Sequence, residues 1–220
     1  MRITKQQAEK NRARVVAAAA RLFREKGFEG VGVADLMRAA GLTHGGFYNH
    51  FGSKDELNAA ACAYALTQAV ERIESVAAND VEQGEGLSEY RRRYLSRKAR
   101  DAEGFRCPMV AFGADVSRQG LELREVYARG LNRYLDAFVR AYAKERGGRR
   151  AEADLRAEAI VHFATMVGAV SLARSVAKAD PVLSDEILDA TLAKLEGPLS
   201  KAKTNIRASR AARKLLRTVR

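Results

Sequence analysis

Apolar residues recur at helical spacing along nearly the whole chain. Over residues 7–26, Val15, Val16, Ala19, Leu22 and Phe23 fall on one helix face. Gly27 follows as a C-cap glycine, and Phe28 is expected to fold back onto that stripe. Val33, Leu36 and Met37 predict a short helix over 33–40, with Asp35 at its positive end and Gly32 as an N-cap lacking a hydroxyl. Gly41 can take positive φ and reverse the chain. Thr43 is then placed to N-cap a helix running to about Phe51. Gly45 and Gly46 fall in its first turn, each costing about 1 kcal/mol relative to Ala. Such a pair suggests a backbone that must come close to another surface. Ser53 and Glu56 form a capping box that opens a helix extending to about residue 78. Two helices joined by a glycine turn, the second short and polar outside, read as a helix-turn-helix.

Residues 79–86, NDVEQGEG, form the clearest linker. Beyond it, Ser88 is expected to cap a helix carrying Leu87, Tyr90, Tyr94 and Leu95, whose Arg91-Arg92-Arg93 and Arg97-Lys98 runs read as a solvated face. Gly104 to Cys107 is a break, and Pro108 suits the first position of a further short helix. A long amphipathic helix over 121–146 points Val126, Leu131, Leu135, Phe138, Val139 and Tyr142 inward and ends in a glycine turn at 147–150. The helix over 151–178 is apolar on most sides from 160 to 172 and rich in small residues. A helix apolar all round must be buried all round, so a second subunit is expected to cover part of it. Pro181 opens the last structured helix, with Leu183, Ile187, Leu188, Leu192 and Leu195 on one stripe. Two such helices from each subunit would form a four-helix dimer interface.

The expected fold is therefore all-α. A three-helix helix-turn-helix unit (1–52) is joined by a fourth helix to a larger helical ligand-binding and dimerisation domain (53–200). A basic tail (201–220) follows.

Charge sharpens this division. Of the net +12, residues 1–60 carry +4, residues 61–200 are balanced, and residues 201–220 carry +8. Polyanion binding belongs to the two ends. No apolar run approaches the ~20 residues of a bilayer span and no signal-peptide pattern opens the chain, so a soluble cytoplasmic protein without a membrane partner is expected. Two cysteines make neither a disulfide framework nor a zinc site. His44 and His50 lie six apart with no acid or cysteine near them, and His162 stands alone on an apolar helix, so no metal is expected. No Ser-His-Asp order, HExxH, GxSxG or phosphate-loop pattern occurs, which argues against an enzyme and against a cofactor.

Residues 12–57, with AAAARLFREKGF, VADLMRAAGL, THGGFYNHF and SKDEL in order, resemble the DNA-binding domain of the tetracycline-repressor (TetR) family. The resemblance implies a homodimer that binds an operator palindrome in double-stranded DNA, usually represses, and is released by a small-molecule inducer. It implies phosphate contacts from Thr43 and Tyr48, base-edge positions at His44 and Gly46, close approach at Gly45, and backbone contacts from His50 and Lys54. Phe47 and Phe51 would hold the segment from behind. Hydroxyls, amides and cations at a helix N-terminus suit phosphates. Gly32 and Gly46 depart from the family's usual hydroxyl or alanine residues, which shifts base readout to His44, Asn49 and DNA shape.

A narrower resemblance covers Arg106-Cys107-Pro108-Met109 and AFGADVSRQGLELREVY, similar to the subgroup containing N-ethylmaleimide reductase repressors, which respond to electrophiles. A thiol beside a helix N-terminus and Arg106 is expected to have a lowered pKa and raised reactivity; the alternative is a small buried hydrophobe. Cys62 reads as inert core. Cys107, Tyr94, Phe105, Phe112, Tyr127, His162 and Met166 are candidates to line an inducer pocket or to form core. The tail is expected to be disordered without DNA; an extra DNA-holding segment and a membrane-surface helix are its alternatives, and the first of these would make the chain a non-specific architectural DNA binder.

Overall fold

The computed structural model describes residues 4–78, 86–102, 107–147 and 152–196. The expected linker up to residue 85, Phe105 and Arg106, residues 148–150 and the tail lie outside the described residues. Every regular element among those described is helical.

Helix α1 (Lys5–Lys26) starts two residues earlier than its apolar stripe implies, because the Thr4 hydroxyl accepts from the Gln7 N–H at 3.2 Å. Its end follows expectation: Gly27 takes φ +75° and its N–H reaches the Phe23 carbonyl. Helix α2 (Val33–Ala39) buries Leu36 and Met37 against α1, and Gly41, at φ +69°, turns the chain into a six-residue 3₁₀-helix (His44–Asn49). Helix α3 (Lys54–Ala78) is opened by the Ser53 hydroxyl, which accepts from the Glu56 N–H at 3.1 Å. The Glu56 carboxylate accepts from the Gly52 N–H at 2.7 Å, one residue before the reciprocal donor of a standard box.

The larger part packs around α3 and α7 (Leu121–Arg146), which run along each other. Gly130 permits their approach: a Cβ there would sit 2.6 Å from Leu66 Cδ1. Between them in sequence lie α4 (Leu87–Tyr94), α5 (Arg97–Asp101) and α6 (Pro108–Val116, with Pro108 at its start). The single helix expected over 88–102 is thus two. Ser96 caps α5 by accepting from the Ala99 N–H, and Ser88 lies inside α4, whose N-cap is Gly86.

The arginine-rich stretch is only in part a solvated face: Arg92, Arg93, Arg97 and Lys98 are exposed, but Arg91 is not. Arg91 is 4 % exposed and forms a two-pronged pair with Glu145 of α7, both bonds 2.7 Å. Arg97 reaches Asp185 and Asp189, and Arg100 reaches Asp185 and Ser184, all on α9 (Pro181–Glu196). Arg174 of α8 (Glu152–Val176) donates to the carbonyls of Arg100 and Ala102. Fork-shaped guanidinium groups thereby fasten α4 and α5 to α7, α8 and α9.

Helix α8 has the length and hydropathy of a membrane span, yet Ala159, Phe163, Met166, Val170 and Ala173 are buried within the bundle. Its opposite side leaves Val161 and Leu172 exposed, and α9 leaves Val182 exposed beside them in the same helix pair. The apolar-all-round pattern therefore ends as one buried face and one open face.

Candidate nucleic-acid interface and ligand cavity

The segment after Gly41 is built from two aromatic anchors. Phe47 and Phe51 are both almost fully buried with centroids 5.7 Å apart, and the Arg12 guanidinium lies 4.7 Å above the Phe51 ring. Arg12 also pairs with Glu56 at 3.1 Å. The Gly52 N–H, and then Arg12, hold the Glu56 carboxyl below its usual range. With its inner side fixed, the segment turns Thr43, His44, Gly45, Tyr48 and Asn49 outward; Gly46, His50 and Lys54 are half-buried. Tyr48 is 79 % exposed, with its ring against the edge of Phe47.

Two expectations change here. Thr43 has the extended backbone of an N-cap, but its side chain makes no cap hydrogen bond. The recognition helix is 3₁₀, not α; two glycines early in a short element weaken the α form. Six residues sum little dipole, so an anion at this end would depend on individual N–H groups, the Thr43 and Tyr48 hydroxyls and nearby cations. The two glycines also differ. A Cβ at Gly45 meets nothing within 4 Å, whereas one at Gly46 would make ordinary contacts with Met37 Cε at 3.7 Å and Thr43 Oγ1 at 3.8 Å. Among the described residues, nothing requires Gly45 to lack a side chain. Its bareness is useful only against an outside surface.

The second feature is a cavity of about 650 Å³ bounded by α3, α4, α5, the start of α6 and α7. Tyr90, Tyr94, Tyr134 and Cys107 contribute polar groups, and Arg72, Arg93 and Lys98 contribute charge. Ala69, Ala99 and Ala102 supply small apolar wall. The Tyr90 and Tyr134 hydroxyls are hydrogen-bonded at 2.7 Å. Burial raises the pKa of all three phenols, so they remain neutral donors.

Of the expected pocket residues, Cys107 and Tyr94 meet in this wall. Phe112 packs on Phe28 instead, with centroids 5.0 Å apart. The Tyr127 hydroxyl points at Gly113, where a Cβ would lie 3.5 Å away. His162 and Met166 face the bundle core, His162 stacking its edge 5.3 Å from Tyr142. Burial first, and the Arg91 charge second, push the His162 pKa down to about 4. The sequence reading overlooked Arg72, Tyr90, Arg93, Lys98 and Tyr134. Tyr90, Arg93 and Tyr94 share a helical face by i, i+3 and i+4 spacing, a signal that was available.

The expected acidity of Cys107 is reversed. The residue is 7 % exposed, and burial pushes its thiol pKa up; the Tyr94 hydroxyl and the Val110 and Met109 N–H groups pull less strongly the other way. Cys62 is fully buried and pushed up to about 12, as suits an inert core thiol.

Residues 15–61 match the family described as bacterial regulatory proteins, tetR family. Over 57 residues the chain is 40 % identical to the HTH-type transcriptional regulator TtgR of Pseudomonas putida, a stretch that is 26 % of this chain and 27 % of that protein. The match thus spans about a quarter of the curated relatives' length. Over 86 % of this chain and 94 % of the other, the fold is similar to a TetR transcriptional regulator from Chloroflexus aurantiacus, at 29 % identity and a TM-score of 0.68. The reduced form of E. coli NemR has the same fold over 85 % of this chain and 95 % of its own, at 22 % identity and a TM-score of 0.66. The N-terminal segment thus matches the tetR family of bacterial regulatory proteins, and the helical architecture behind it is similar to that of solved TetR transcriptional regulators.

Proposed function

We propose that the protein is a cytoplasmic repressor of transcription that binds an operator palindrome as a homodimer and leaves it when a small molecule enters the cavity. The observation that carries the DNA reading is the outward row His44, Gly45, Tyr48 and Asn49, fixed from behind by Phe47 and Phe51 and left bare at Gly45. Thr43, Tyr48, His50 and Lys54 contact phosphates; His44 and Asn49 read base edges, with Gly46 beside them offering backbone only. The exposed apolar face of α8 and α9, with Val161 66 %, Leu172 60 % and Val182 78 % exposed, is covered by a second copy. Two recognition segments then enter major grooves about 34–36 Å apart.

Fluorescence anisotropy with palindromic fragments tests this reading. Tyr48→Phe should weaken binding to all sequences alike, His44→Ala should change the sequence preference, and affinity should fall steeply with salt. If both variants bind as wild type does, the segment is not the interface. The rival reading is a non-specific binder relying on the basic tail. Deleting 201–220 decides: such a binder loses nearly all affinity, and an operator-specific repressor keeps it.

Cys107 in the cavity wall favours one further reading of release. An electrophilic alkene or quinone held there takes the thiol sulfur at carbon, and the thiol proton ends on the adduct. Comparing DNA release by N-ethylmaleimide in wild type and Cys107→Ser tests it; equal release would sink the thiol reading.

A further inference from the structure

A groove of about 380 Å³ lies between the first half of α1 and the recognition segment. Ala8, Met37 and Leu42 make its apolar wall, and Asn11, Thr43 and His50 bring polar groups to it. Among the described residues, no aspartate or glutamate lines it. Gly46 keeps the space open. A Cβ there would lie 3.7 Å from Met37 Cε and 3.8 Å from Thr43 Oγ1, both on the wall, so a longer side chain would grow into the groove.

Asn11 is the telling member. It is only 6 % exposed, and its side-chain oxygen accepts from Gln7 Nε2 at 2.9 Å. That bond leaves the two amide hydrogens for the groove, and among the described residues no acceptor takes either of them. A buried polar group without a partner is costly, so one kept on the wall of a groove points to an acceptor from outside. The Thr43 hydroxyl makes no cap bond, and the His50 ring carries an N–H in either protonation state. Arg14, exposed and one turn along α1 from Asn11, lies over the Gly41 turn, where a Cβ would sit 2.7 Å from its Nη2.

We infer that the groove seats one sugar–phosphate unit of the DNA backbone, its phosphate oxygens on the Asn11 amide, the Thr43 hydroxyl and the His50 ring, and its deoxyribose against Ala8, Met37 and Leu42. The assignment rests on the DNA reading above and adds Asn11 to its contacts. A phosphodiester suits both parts of the wall: its free oxygens accept from donors that no carboxylate opposes, and its sugar has an apolar side. Phosphate contacts carry no sequence information, so Asn11 sets affinity and register, not preference.

The test uses the full chain and a palindromic duplex selected by the wild-type protein from a random pool, with binding read by fluorescence anisotropy. Asn11→Ala should weaken this duplex and an unrelated one by the same factor, at least about tenfold, while the salt dependence stays as in wild type because the lost donor is neutral. Asn11→Asp keeps the shape and the acceptor for Gln7 but turns a carboxylate on the phosphate, and should weaken binding further. Backbone phosphates are then replaced singly by neutral methylphosphonates. One position in each half-site should weaken wild type and leave Asn11→Ala unchanged, a coupling that a purely structural asparagine would not show. Wild-type affinity in Asn11→Asp, or no such position, overturns the assignment. If Tyr48→Phe still weakens binding in that case, the interface stands and only the groove is misassigned; if Tyr48→Phe and His44→Ala are also without effect, the DNA reading falls with it.

Discussion

The Phe28 and Phe112 rings meet with centroids 5.0 Å apart across the joint between the helix-turn-helix unit and α6. Phe28 also touches Phe23 of α1 at 5.1 Å, and Cys107, the N-cap of α6, lines the cavity. One short helix therefore has the cavity at its start and the helix-turn-helix unit against its later residues. Where Gly27 takes φ +75°, the Asp115 carboxylate of the same helix lies so close that a Cβ would sit 2.7 Å from it. A displacement of α6 cannot be absorbed at this joint, because the interior is close-packed.

Phe112→Ala should cost about 3–5 kcal/mol by urea unfolding, since the ring is fully buried between two units. Phe112→Leu should leave a folded protein in which ligand changes operator affinity less than in wild type. Unaltered ligand sensitivity in that variant would remove this contact from the coupling route.

The sharp approach of α3 to α7 gives a second test. Gly130→Ala puts a Cβ 2.6 Å from Leu66 Cδ1 and 3.0 Å from Leu66 Cγ. Overpacking of this kind should cost about 1–3 kcal/mol, although alanine favours helix by up to about 1 kcal/mol over glycine. In a Leu66→Gly background, where these atoms and the Leu66 Cβ that would lie 2.8 Å away are all gone, the same substitution should cost measurably less. A double-mutant cycle with no coupling would contradict the packing described.

Gly45 separates the needs of folding from those of binding. Gly45→Ala meets no atom within 4 Å, so the unfolding midpoint should stay level or rise slightly. Operator affinity should nevertheless fall, because the added methyl group lies on the proposed DNA-facing side. Gly46→Ala, which makes only ordinary contacts with Met37 and Thr43, should spare the fold as well. An undiminished affinity in Gly45→Ala would show that the backbone does not approach DNA there.

How much was legible in the sequence follows from the kind of information each element needs. Apolar spacing located α7 to its end residues and placed the caps at Gly27, Ser53 and Pro108, because these are decided locally. The family resemblance, not the spacing, put Phe47 and Phe51 behind the recognition segment. The cavity was legible only in part: Tyr94 and Cys107 are near neighbours of a visible break, but Arg72 and Tyr134 reach the same wall from helices far apart in sequence. Periodicity reports which face of a helix is buried, not which helix it meets. The arginines of α4 and α5 misled for the same reason, since their carboxylate partners lie on α7 and α9, some 50 to 90 residues away. Cys107 shows the limit of a local electrostatic argument: the neighbouring N–H groups are where expected, but burial outweighs them.

The Arg91–Glu145 pair provides a prediction that a solvated arginine would not. Glu145→Gln leaves a guanidinium 4 % exposed without its counter-charge and should cost about 3 kcal/mol. Replacing both partners, Arg91→Met with Glu145→Leu, should cost less than the single change. If Glu145→Gln unfolds at the wild-type urea concentration, the pair contributes nothing to the bundle.

His162 should make stability fall in mild acid. In the folded chain its pKa is pushed down to about 4, with burial and the nearby Arg91 and Arg146 charges opposing protonation and Glu145 favouring it. Unfolded, the ring returns to about 6.5 and takes up a proton that the folded state excludes. Above about 6.5 the ring is neutral in both states and adds no pH dependence. As pH falls from about 6.5 toward 4, the unfolded state gains the proton alone and stability declines. Carboxylates titrate in the lower part of this window, so the comparison must be with His162→Leu. Wild type should lose more stability between pH 7 and pH 5 than the leucine variant does, read as the shift of each urea midpoint. Parallel loss in the two proteins would mean that His162 takes its proton without unfolding the bundle around Tyr142 and Phe138.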